Sequence, residues 1–131
     1  MRGPLAPSHI PIAKSRSERF DDLVLDAVDR LRPRWGRQLA SVEFAVEEVP
    51  PAGDLGDGPG AITGDPIPFG RVEPAASGRP AIVIVYRRPL EARAQDRDQL
   101  GAMVHDTVVE QVAGLLGLSP ESVDPGYDDR D

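Results

Sequence analysis

The chain has 131 residues, 15 of them basic and 22 acidic, for a net charge of −7. It contains no cysteine, which excludes disulfides, thiolate metal sites and cysteine nucleophiles. The acidic balance gives no support to a nucleic-acid role, and no apolar run approaches the ~20 residues that span a membrane.

The first 17 residues hold Arg2 but no apolar centre, and prolines interrupt them. They do not read as a secretory signal, so a cytoplasmic protein is expected. Pro4, Pro7 and Pro11 deny residues 1–14 regular structure, and these are read as a disordered arm. The ordered domain is expected over 15–118, and 119–131 reads as an acidic tail that frays.

Ser15 followed by Glu18 is a capping-box pattern and opens the first helix. Phe20, Leu23, Val24, Ala27, Val28 and Leu31 then recur at helical spacing. Pro33 should end or interrupt that helix, with Trp35 and Leu39 forming one further turn against the core. From 42 to 49 the pattern alternates. Val42, Phe44 and Val46 point one way, as in a half-buried strand that Pro50 and Pro51 stop.

Residues 50–66 mix five glycines with Asp54, Asp57 and Asp65. The spacing lacks the alternating oxygen ligands and closing Glu of a calcium loop, so a flexible surface loop is expected. Ile67 to Val72 reads as a short edge strand between prolines and a Ser77-Gly78 turn. Ala81 to Tyr86 (AIVIVY) is the most apolar β-branched run and the best central strand. Arg87 and Arg88 follow as a solvated strand terminus or an anion grip.

The last helix is expected over 97–116. Asp96 caps it and Gln99 answers three residues on. Its apolar face is Leu100, Val104, Val108, Val112, Leu115 and Leu116, and Gly117 stands just past its end. The order helix, strand, loop, strand, strand, helix lacks a strict βαβ alternation. It predicts an α+β fold with two main helices on a small, mostly antiparallel or mixed sheet of three to four strands.

The stretch from Thr107 to Leu118 (TVVEQVAGLLGL) resembles the active-site helix of the small bacterial zincin-like metallopeptidase family. In that family apolar residues precede His-Glu-x-x-His and a glycine follows. The opening helix, Val42 to Pro51 and Ala81 to Pro89 resemble the family's other elements in the same order. The resemblance covers roughly 16–118 and implies a zincin-like fold.

The family's zinc-binding and catalytic positions fall on Glu110, Gln111 and Gly114. Two histidines four apart lie on one helical face and reach one metal, and the glutamate beside the first takes a proton from the metal-bound water. Here Glu110 offers one oxygen, Gln111 cannot act as a base, and Gly114 offers no side chain. No catalytic residue and no cofactor are expected; the resemblance implies zinc, but its ligands are absent. Glu121 stands where a third ligand would come from and has nothing to complete.

His105 lies about 140° around the helix from Glu110 and cannot share its metal. It reads as a buried or boundary histidine. Asp106 and Glu110, four apart, read as an acidic stripe, or as ligands of a hard cation. With glycine in place of a bulky ligand, Met103, Asp106, Thr107, Glu110, Gly114 and Gly117 are expected to line a groove. Such a groove beside a sheet edge would hold an extended peptide or a protein segment by strand addition. The expected protein is therefore a pseudoenzyme acting in binding or regulation. The competing expectations are an active metallopeptidase with relocated ligands and an enzyme using Asp106 and Glu110.

Overall fold

The structure, a computed structural model, describes residues 15–51 and 67–130. The arm 1–14, with His9, and the loop from 52 to 66 lie outside the described residues.

Helix α1 (Arg16–Leu39) starts at the capping box: the Ser15 hydroxyl accepts from the Glu18 amide at 3.1 Å, and the Glu18 carboxylate accepts from the Ser15 amide at 2.9 Å. Two donors orphaned at a helix start are thereby satisfied. Pro33 does not end the helix. The chain kinks at Trp35 (φ −120°, ψ 15°) and winds on for another turn that buries Leu39. The kink aims the Trp35 indole at the C-terminal segment, where Nε1 donates to the Val123 carbonyl at 2.8 Å.

Strands β1 (Val42–Glu47), β2 (Gly70–Glu73) and β3 (Ala81–Tyr86) form one mixed sheet in the order β1-β3-β2. β1 runs parallel to β3, with Val42 opposite Ala81 and Glu47 opposite Tyr86. β2 runs antiparallel, with Gly70 opposite Val85 and Glu73 opposite Ile82. The apolar run is thus the central strand, and the proline-flanked one is an edge. Val83, Ile84, Val85 and Tyr86 are all buried, so both faces of β3 are covered. That accounts for its lack of alternation. The turn between β2 and β3 closes on Ser77-Gly78, with Gly78 at φ 75° and Ala76 and Arg79 exchanging backbone bonds of 3.1 and 2.8 Å.

A helix follows β3 directly, α2 (Arg87–Arg93). It corrects the reading of Arg87 and Arg88 as a strand end. Pro89 falls in its first turn, where a missing N–H costs nothing. Helix α3 (Arg97–Leu116) has the expected bounds. The Asp96 carboxylate accepts from the Gln99 amide at 2.7 Å, but the Gln99 side chain answers to the Gln95 amide rather than to Asp96. At its far end Gly117 is left-handed (φ 72°), and the Leu118 amide returns to the Ala113 carbonyl at 2.9 Å. Left-handed backbone favours glycine at that position.

The segment expected to fray after residue 118 is structured. Ser119 caps a short helix, α4 (Pro120–Val123), with Pro120 at its first position, and a 3-10 turn covers Pro125–Arg130. Val123 is fully buried, and Tyr127 packs on the core. Phe20, Val24, Val28 and Leu31 of α1 meet Val104, Val108, Val109 and Val112 of α3 over Val85 in one core. Each such burial contributes roughly 1.5–3 kcal/mol. This outweighs the modest helix propensity of four valines in α3. Among the described residues no helix is long and apolar enough to cross a membrane.

Candidate functional site

Helix α3 presents opposite chemistry on its two sides. Val104, Val108, Val109 and Val112 are buried to 0% exposure. Glu110, Gly114 and Gly117 are exposed, and Met103, Asp106 and Gln111 are half-buried. The structure therefore places Met103, Asp106, Glu110, Gly114 and Gly117 toward the surface. Thr107 is different: it is buried, and its hydroxyl donates to the Met103 carbonyl at 2.8 Å inside the helix. It faces the sheet edge rather than solvent.

The edge strand β2 crosses α3 at this level. A β-carbon built on Gly70 would lie 2.6 Å from the Ile84 carbonyl oxygen and 3.3 Å from both Gln111 Cγ and Thr107 Cγ2. Glycine is needed there because the strand backbone touches its neighbour and the helix at once. Gly114 has no such constraint: nothing stands within 4 Å of where its β-carbon would be. Glycine there leaves open space over the helix.

The Tyr127 hydroxyl donates to Glu110 Oε2. Tyr127 reaches that position because the turn before it is anchored twice: Asp124 Oδ1 accepts from the Gly126 amide at 3.0 Å, and Asp124 Oδ2 is hydrogen-bonded to His105 Nε2 at 2.7 Å. His105 is buried, as expected, and its partner is Asp124, not Glu110. Among the described residues its Nδ1 has no hydrogen-bond partner. Glu121, on α4, is exposed.

At the sheet's carboxyl end the Arg87 guanidinium, 11% exposed, grips Glu48 through Nε (3.1 Å) and Nη2, and Glu91 through Nη1 (2.9 Å). Arg88 Nε adds a contact of 3.2 Å to Glu48. The hydrogen bond from Arg87 holds the Glu48 carboxyl below its ordinary range, and Glu48 in turn raises Arg87. Arg87 is thus committed to two carboxylates and is neither a solvated terminus nor a free anion grip.

The donor set of α3 does not fit zinc. Structural and catalytic zinc sites take three or four imidazole, thiolate or carboxylate ligands converging on one point. Here one carboxylate stands at Glu110, with an amide beside it and a bare backbone four residues on. Among the described residues no group of three or more histidine, aspartate or glutamate side chains is placed to hold a metal ion. Two cavities, of about 580 Å³ and 440 Å³, open between α1 and the start of α3, and neither is lined by Glu110, Gln111 or Gly114.

Tyr127, Asp124 and Gly70 were not legible as site residues. One signal was present: Ser119 followed by Pro120 is a cap and first-position pair that starts a helix. It reads equally as a proline stopping the preceding helix.

An α+β domain with two long helices, a small mixed sheet and this helix under the edge strand is a zincin-like arrangement. The chain matches the model of the zincin-like metallopeptidase family over residues 39–128, most of its length, and it belongs to that family. The matched span leaves out nearly all of α1 and takes in the C-terminal segment past residue 118. A search of the curated proteins found no match.

Proposed function

We propose that this chain is a zinc-free, catalytically inactive zincin-like protein, a bacterial and cytoplasmic pseudoenzyme. Its α3 and β2 surfaces would hold an extended peptide or a segment of a protein partner. One observation carries the reading: Glu110 is exposed and the residue one turn on is a glycine with open space above it, so no pair of metal-ligating side chains converges there. The position of β2 supports the binding mode. It is an edge strand lying against Thr107 and Gln111 of α3, and an edge offers backbone donors and acceptors to an added strand.

Elemental analysis of protein purified without chelator tests the first half, with well under one equivalent of zinc expected. Stoichiometric zinc lost on substituting Glu110 would instead favour an active metallopeptidase with relocated ligands. A peptide array tests the second half: extended peptides should be retained, and substituting Gly114 by a bulky residue should remove them. Retention unchanged by that substitution, or no retention at all, would sink the binding role.

A further inference from the structure

We propose that the cavity between α1 and α3 beside His105 is a binding site for a small zwitterion, an α-amino acid with an aliphatic side chain. The cavity shares no residue with the Glu110 surface, so the site stands apart from the peptide-binding reading above.

The cavity holds about 440 Å³, a size that suits a small molecule. Helix spacing explains where it lies. Leu23, Ala27 and Arg30 follow one stripe of α1, and Gly101 and His105 follow the facing stripe of α3. Leu23, Ala27 and Gly101 supply an apolar floor. Gly101 helps keep it open, since a β-carbon there would already touch Leu23 Cδ2 at 3.6 Å.

His105, in the wall, gives the first sign of a ligand. It is 5% exposed, and its Nε2 is hydrogen-bonded to Asp124 Oδ2 at 2.7 Å. A carboxylate only accepts, so Nε2 is the donor. In the neutral imidazole Nδ1 then keeps its lone pair and takes a donor. Among the described residues that buried Nδ1 has no hydrogen-bond partner. Buried polar atoms are seldom left so, because an unmade hydrogen bond is costly.

The rim gives the second sign. It carries two exposed acids, Asp26 and Asp98, and two exposed bases, Arg30 and Arg97. Elsewhere on α1, Asp29 and Arg32 pair with each other at 3.1 Å. None of the four rim charges pairs with a described residue. Unpaired charges of both signs match a ligand that brings one of each. Its ammonium donates to His105 Nδ1 and to a rim carboxylate. Its carboxylate accepts from the rim guanidinium groups. A simple anion would leave Nδ1 and the acids unmet, and a simple amine would leave the arginines unmet.

The test titrates the full chain with L-leucine, with 4-methylpentanoate, which lacks the ammonium, and with isopentylamine, which lacks the carboxylate. Binding is read from the NMR shifts of the His105 ring and of the α1 and α3 amides. Leucine should saturate these shifts with a Kd on the order of 1 mM, and each single-charge analogue should bind about tenfold more weakly. Arg30→Gln and Asp26→Asn each remove one exposed charge and should each weaken leucine about tenfold. Arg37→Gln, exposed on α1 outside the cavity, should leave leucine binding unchanged. Equal binding of either analogue overturns the zwitterion. No saturation by leucine up to about 50 mM, binding indifferent to Arg30→Gln and Asp26→Asn, or shifts that spare the His105 ring overturn the site itself.

Discussion

The two sides of α3 differ in what fixes their residues. On the core side four valines are fully buried against α1 and Val85, and shape and volume dictate them. On the other side Glu110 and Gly114 are exposed, and packing dictates nothing at Gly114, where a side chain would meet open space. The fold holds the helix in place through one side. Gly114 belongs to the other, where a new side chain can be added without cost to the packing.

The largest effect should come from breaking the core side. Val108→Asp places an unpaired charge at a site with no solvent contact, a loss of about 4 kcal/mol or more. Circular dichroism should then show no cooperative thermal transition. Gly70→Ala is smaller, because it adds one methyl and no charge: placed 2.6 Å from the Ile84 carbonyl, that methyl should cost roughly 2 kcal/mol in denaturant unfolding.

Arg87→Met tests whether the strand end belongs with the fixed side, since it leaves Glu48 and Glu91 without their common partner. The melting temperature should fall by roughly 5 °C near neutral pH. The sign with pH follows from Glu48. Its pKa is depressed below 4.5 in the folded protein. The stabilisation is therefore present above that value and lost as pH falls through the lowered one. The difference in melting temperature between wild type and variant should be largest near neutrality and shrink on acidification. A constant difference from neutrality down into the acid range would rule this origin out.

The smallest effect has the opposite sign. Gly114→Ala removes the entropic cost of a mid-helix glycine and meets no neighbour, so it should stabilise by up to about 1 kcal/mol. Destabilisation there would show that the exposed side is under a packing constraint.

These contrasts also explain what the sequence made readable. The capping box of α1, the apolar run of β3 and the glycine ending α3 are local signals, and each stands where expected. The alternation of β1 marked a half-buried strand and the prolines before β2 an edge strand, but β2 runs Gly70–Glu73 rather than from Ile67 to Val72. Helix α2 was missed because two arginines and a proline after a strand read as punctuation. Its support, Arg87 reaching Glu48 across 39 positions of sequence, is non-local. The C-terminal segment was misread for the same reason: its anchors are Trp35, His105 and Glu110, none nearby in sequence. Tyr127 beside Glu110 left no mark in the spacing of α3.

Trp35 is the only tryptophan in the chain, and its indole reaches the Val123 backbone. Its emission is therefore an intrinsic optical reporter on the docking of α4. A red shift that precedes the loss of helical ellipticity would time the departure of the C-terminus from the body of the molecule, with no label attached.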